Sequence, residues 1–270
     1  MSSKRLALPY VGWMALFVVA PILLIIVYAF TAFDGSLSLS NFAAMGTFTS
    51  VFIRSFWLAI VSTIVCLMIG YPVAYILSRE GQRMQRVMIM LIMLPMWMNF
   101  LLRTYAWMSI LENTGLLNRL LGALGLPRLS IINTQTAVVI GMVYNFLPFM
   151  ILPIYSVIVK IDRSLYEAAQ DLGASSAAVF RKLIFPLSLP GVLSGVTMVF
   201  VPAVSTFVIS QLLGGGKSML LGDLIEIQFL GAAYNPHLGS AIALVMMVIV
   251  IAFMYVMNRF GEGEEIAVGL

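Results

Sequence analysis

Charge is scarce in this sequence. Lys, Arg, Asp and Glu make up 10% of its 270 residues, against about a quarter in an ordinary soluble domain. With 61% of the residues hydrophobic, a water-soluble fold could not hide the apolar surface, because a chain of this size leaves much of itself at its boundary. The solvent this composition suits is lipid. There is one histidine, His237, which argues against a metal centre and a Ser-His nucleophile. The one cysteine, Cys66, lies in an apolar run. It cannot form an intrachain disulfide, lacks a metal-ligand neighbour, and reads as a small lipid- or core-facing residue. No Asp or Glu falls at the middle of an apolar run, which tells against a membrane-embedded hydrolase and against a self-sufficient ion-coupled carrier or channel. There is also no Gly-x-x-x-x-Gly-Lys-Ser/Thr phosphate loop, so any ATP must be hydrolysed by another polypeptide.

What is present is a set of long apolar stretches. A helix needs about 20 apolar residues to cross the hydrocarbon. Leu6–Phe33, Ser55–Ser78, Leu129–Val159, Leu183–Gly216 and Leu238–Asn258 contain no Asp, Glu, Lys or Arg, and Val87–Leu111 is interrupted only by Arg103. The runs are continuous rather than alternating, which excludes strands. The expectation is an all-α membrane protein of about six transmembrane helices, forming a single domain over residues 1–270. No small-residue cleavage site follows the first run after Lys4 and Arg5, which reads as an uncleaved span rather than a removed signal.

The net charge of +4 is topological rather than a nucleic-acid signature, because no basic face with interleaved aromatics exists. With the N-terminus inside, Lys4, Arg5, Arg79, Arg83, Arg86, Lys160, Arg163, Arg181, Lys182 and Arg259 are cytoplasmic. Arg54, Arg119, Arg128 and Lys217 are outside. That asymmetry places both termini in the cytoplasm. Pro72, Pro95, Pro148, Pro153, Pro190 and Pro202 lie inside spans, where each removes a donor and tends to bend its helix. Their clustering in spans three to five favours helices that bend around a central pathway.

The longest cytoplasmic connection, residues 160–182, has helical order written into it. Ser164 to Glu167 fits a capping box. Leu165, Ala168, Ala169 and Leu172 then repeat at helical spacing as one apolar stripe, and Gly173 stands where a left-handed helix end is expected. Ser175 or Ser176 can cap a second short helix that stops before Pro186. Two short helices thus meet at a glycine elbow, fit either to lie on headgroups or to dock against another protein.

These residues also carry a family resemblance. Glu167-Ala168-Ala169, three residues, Gly173, nine residues, then Leu183-Ile184-Phe185-Pro186 resembles the "EAA" motif of ABC importer permeases, with Leu183 and Phe185 in place of Ile and Leu. The resemblance implies the type I importer (MetI-like) architecture. It makes the first short helix a coupling helix seated in the ATP-hydrolysing subunit, with Glu167, Ala168, Ala169 and Asp171 on it and Gly173 setting the elbow. Asn99 to Trp107, Gly115 to Asn118, Gly141 to Tyr144 and Leu147 to Met150 resemble the spermidine/putrescine permease family, the first of its paired permease subunits more than the second. Other small-solute permeases, for instance for an aminophosphonate, share parts of these segments. The resemblance further implies ATP-binding subunits that carry the ATP and Mg, a second homologous permease, an extracytoplasmic solute-binding protein, and no cofactor or metal on this chain. It also implies a bacterial inner-membrane location.

A polyamine calls for acids and aromatic faces. The aromatics are Trp97, Tyr105, Trp107 and Tyr144, which equally suit an interfacial belt. The acids are only at the outer side: Asp34, Glu112, Asp223 and Glu226. Asp223 and Glu226 are placed to receive a cation or to contact a binding protein. Candidate pathway residues are Asn99, Arg103, Trp107, Tyr144, Asn145 and Ser205, with Thr206 and Gln211 as further lining. Asn99, Arg103 and Trp107 share a helical face. Arg103 lies roughly 24 Å along a straight helix from Val87, where it would snorkel at the outer boundary as an anchor or gate.

Overall fold

The computed structural model describes residues 3–231 and 233–268, with side chains for residues 9–162, 164–231 and 233–259. The side chains of Lys4, Arg5 and Arg163 therefore lie outside the described residues. The chain is helical nearly throughout, and among the described residues its one β feature is an isolated bridge between Thr31 and Leu37. Span one is α1 (Ser3–Met14), a π turn at Ala15–Val19 and α2 (Ala20–Ala29). The short α3 (Ser40–Ala44) and a 3-10 turn lead into α4 (Thr49–Arg79), the second span.

The third span is not one helix. α5 (Gln82–Met93) ends in a 3-10 turn at Leu94–Trp97, and α6 (Phe100–Leu111) with α7 (Leu116–Ala123) leaves at an angle of 92°. Pro95 sits at this elbow, where its ring and missing donor end the helix. Arg103 is thus displaced from the axis of α5, and the straight-helix placement at the outer boundary does not hold. α8 (Gln135–Ile158) is the fourth span.

Past the fourth span, α9 (Arg163–Asp171) and α10 (Ser176–Val179) precede a π segment, Phe180–Ile184, which joins α11 (Phe185–Ser205) without a stop. The helix expected to end before Pro186 therefore runs through it. The wider π turn accommodates the proline, which would otherwise crowd the carbonyl four residues back. Span five in turn ends sooner than its apolar run suggests: it breaks at Thr206–Phe207 before α12 (Val208–Gly214). α13 (Leu221–Leu230) and α14 (Pro236–Val268) complete the chain. Among the described residues, five stretches are long and apolar enough to cross a membrane, or six with the bent pair.

Burial identifies the centre. Of the apolar window in α8, 56% is buried, against none in Pro9–Ala29, so spans two, four and five form the core and span one rides outside it. Lipid tails are as apolar as leucine, so close backbone approach and hydrogen bonds must hold the core together. A Cβ on Gly191 would lie 2.9 Å from the Pro153 carbonyl oxygen and 3.0 Å from the Ile154 Cα; only hydrogen fits there. The Tyr71 hydroxyl donates to Ser188 Oγ (2.8 Å), which in turn donates to the Phe185 carbonyl (2.8 Å), tying span two to span five. Gly191→Val should cost about 1–3 kcal/mol of stability through overpacking, read as a lower Tm in detergent; an unchanged Tm would mean that the contact between α8 and α11 yields freely.

Candidate functional site

Begin with the cytoplasmic face. Asp162, not Ser164, caps α9: its carboxylate accepts from the Ser164 amide at 2.9 Å. The expected capping box does not form; the cap moves two residues upstream, because Asp is at least as good a cap as Ser and stands where the chain turns. These hydrogen bonds to Ser164 hold the Asp162 carboxyl below the usual carboxylate range. Glu167 is consequently free of any capping duty and stands exposed. At the other end Gly173 has φ +80°. Its amide bonds to the Gln170 carbonyl (2.8 Å) and the Ala174 amide to the Ala169 carbonyl (3.0 Å), a Schellman closure. Ser175 then caps α10 through the Ala178 amide.

The apolar stripe divides in two. Leu165, Ala168, Asp171 and Leu172 are exposed, Leu172 by 90%, whereas Tyr166 and Ala169 turn inward and pack on the core. The Arg79 guanidinium lies 5.4 Å from the Tyr166 ring and 4.7 Å from that of Tyr75, so the end of span two rests on α9 through the Tyr166 cation–π contact. Gln85 ties in the neighbouring elements. Its amide donates to the carbonyls of Ser78 (3.3 Å) and Glu80 (2.8 Å), and it accepts from the Tyr155 hydroxyl (3.0 Å). A cavity of about 700 Å³ opens here, lined among others by Arg79, Gln85, Tyr166, Glu167 and Gln170. Neither Arg79–Tyr166 nor Gln85–Tyr155 shows in the motif.

Within the spans the candidates separate. Arg103, Trp107 and Tyr144 come together: the Trp107 and Tyr144 rings meet edge to face at 5.2 Å, with the guanidinium 6.0 Å from Tyr144 and 5.9 Å from Phe100. Arg103 is buried, donates to the Pro95 carbonyl at 2.9 Å, and leaves Nε without a partner. It thus fills the elbow instead of snorkelling. Asn99 stands at the N-cap of the same helix, its carbonyl accepting the Arg103 amide (3.1 Å) and its side-chain oxygen the Leu101 amide (2.8 Å). Asn145 is buried, donating to the Gly141 carbonyl (2.8 Å), with Oδ1 unpartnered. Ser205 is exposed at the end of α11 and its hydroxyl bonds back to Val201 (3.2 Å), as serine in membrane helices often does.

Of the outer acids, Asp34 holds its own turn through Ser36, and Glu112 is an exposed helix end. Asp223 is buried, with one oxygen accepting from the Leu220 amide at 2.7 Å. Burial pushes its carboxyl up to about 6, against the pull of that amide.

Residues 67–261 match the family described as "Binding-protein-dependent transport system inner membrane component". The chain belongs to this family. It is an inner-membrane permease subunit of an ABC importer. It is 37% identical over 261 residues to the spermidine/putrescine transport system permease protein PotB of Haemophilus influenzae, covering 92% of this chain and 90% of that one. To PotB of Escherichia coli K12 it is 36% identical over 249 residues, covering 88% and 90%. In fold it is similar to a chain of a bacterial ABC transporter involved in the import of the acidic polysaccharide alginate (TM-score 0.82, 15% identity, 96% and 94% covered). The MetNI methionine ABC transporter is a further neighbour (TM-score 0.62, 19% identity, 82% and 98% covered).

Because Gly173 is left-handed, Gly173→Ala should cost about 1–2 kcal/mol at the elbow. Hydrogen exchange should then speed up at the amides of residues 173 and 174, and unaltered protection would show that the Schellman closure does not hold α9.

Proposed function

We propose that this permease imports polyamines, driven by ATP that separate cytoplasmic subunits hydrolyse. The observation that carries the mechanism is the division of α9 into two faces. The inner face, Tyr166 and Ala169, is locked to the span ends. The outer face, with Leu165, Ala168, Asp171 and Leu172, is left free as a small knob for a groove. Closure of an ATPase pair that grips the outer face would move the span ends through Arg79 and Gln85, rocking the spans between inward- and outward-open states. Glu167, exposed at the margin of the cavity, would make the polar contact with the ATPase. A second homologous permease would complete the pathway, and an extracytoplasmic binding protein would deliver the cargo. ATP and Mg would sit on the ATPase alone.

Polyamine cargo rests on the similarity to the two PotB proteins and on the aromatic pair Trp107–Tyr144, whose faces suit an ammonium group. One observation favours a different cargo: the buried, singly bonded guanidinium of Arg103 suits an anionic solute such as an aminophosphonate. Reconstitution with the ATPase, the second permease and the binding protein decides between them. Spermidine or putrescine should stimulate ATP hydrolysis; stimulation by another solute and not by these would overturn the assignment.

Glu167→Lys should uncouple hydrolysis from uptake while the spans remain inserted. Full coupling in that variant would leave Glu167 without a role.

A further inference from the structure

At the outer end of span five, features far apart in the sequence converge. Ser205 lies 23 residues beyond Lys182, or roughly 34 Å of helix, so the break at Thr206–Phe207 falls near the outer rim of a hydrocarbon core about 30 Å thick. A helix end leaves its last carbonyls without intrahelical donors and carries partial negative charge. The first turn of α13 presses directly on that end. A Cβ on Gly222 would lie 2.5 Å from the Ser205 carbonyl oxygen and 2.6 Å from that of Thr206. This contact brings the next residue, Asp223, to the break. Asp223 is 3% exposed; its Oδ2 is taken by the Leu220 amide, and its Oδ1 has no partner. The Ser210 hydroxyl beside it has one proton for two acceptors, the Phe207 carbonyl (2.9 Å) and the Asp223 carboxylate, and cannot answer both at once. One turn further on, Glu226 is half-buried, and its Oε2 accepts from the exposed Gln211 amide at 3.3 Å.

Buried acceptors with no donor are rare and costly. Here an unpaired carboxylate oxygen, a second carboxylate held by a single long hydrogen bond and a helix end rich in carbonyls meet at one place. Acceptors are in excess and donors are missing. Unwound helix ends of this kind, with nearby oxygens, suit cations in membrane transporters. A primary ammonium offers three donors and a compact charge, which matches the deficit. A metal ion that keeps several waters would find less room at a break closed by Gly222.

We propose that the break in span five is an ammonium-binding station at the outer mouth of the pathway, with Glu226 as its rim contact and Asp223 Oδ1 and the α11 carbonyl end as its inner seat. It rests on the polyamine reading and supplies the acids that the span interiors lack. In the conformation described, Oδ1 is sealed, so the inner seat fills only when α13 moves off the end of α11. Cargo held at the rim would favour that opening through its differential affinity.

The test uses the complete reconstituted complex with spermidine as probe, comparing wild type, Glu226→Gln, Asp223→Asn and the double variant. Asparagine keeps an oxygen for the Leu220 amide, and co-purification with the ATPase checks assembly. Loss of one charge-assisted hydrogen bond should raise the apparent KM for spermidine-stimulated hydrolysis about tenfold or more, with the double variant more affected than either single one. A wild type that responds to spermidine beside variants with unaltered KM overturns the station alone. A wild type that does not respond overturns the polyamine reading and the station with it. Should Asp223→Asn fail to assemble, Glu226→Gln at the half-buried rim decides by itself.

Discussion

Hydrocarbon offers no hydrogen-bond partner, so wherever a spanning helix of this chain is interrupted, the chain itself must answer the freed backbone groups. At the elbow of span three, Arg103 reaches the Pro95 carbonyl and Asn99 accepts from the Leu101 amide in the first turn of the next helix. At the start of span five, a π turn carries the helix through Pro186. At the outer end of the same span, the break at Thr206–Phe207 is met by the first turn of α13 and by Asp223. The first interruption leaves a buried donor, Arg103 Nε, without a partner, and the third leaves a buried acceptor, Asp223 Oδ1. On the proposal above, an ammonium group answers that acceptor.

The same economy shapes the cytoplasmic side. Water is available there, so α9 can be short, closed by Asp162 at one end and Gly173 at the other. Its side-chain link to the spans is Tyr166 under Arg79, while Gln85 ties the span ends to one another through Ser78, Glu80 and Tyr155. On the function proposed above, a push on α9 would enter the end of span two and pass through Gln85 to spans three and four. The core above supports such a lever because glycines let α8 and α11 touch backbone to backbone, leaving little slack to absorb the movement.

Much of this is legible from residue types alone. Apolar runs locate the spans, since lipid demands continuous hydrophobicity, and Gly173 announces its left-handed turn. What the one-dimensional pattern hides are the places where a run continues while the helix does not. The residues from Leu183 to Gly216 are uniformly uncharged, yet the helix stops at Ser205, because hydropathy records solvent preference and not backbone geometry. The 92° bend before Phe100 is hidden in the same way, because the apolar run continues across it. Asp162 takes the cap from Ser164 because neighbouring residues compete for one position and only the path of the chain selects the winner. The convergence of Ser205, Gln211, Asp223 and Glu226 is likewise tertiary, set by the contact at Gly222.

On the function proposed above, the outer face of α9 is covered by another subunit. Thiol labelling measures this directly, since the native Cys66 is fully buried and Leu172, at 90% exposure, can be replaced by cysteine. A maleimide should label Leu172→Cys rapidly in the permease without its ATPase and at least tenfold more slowly in the assembled complex, as expected when a small hydrophobic knob enters a groove. Equal labelling rates in the two states would contradict the account.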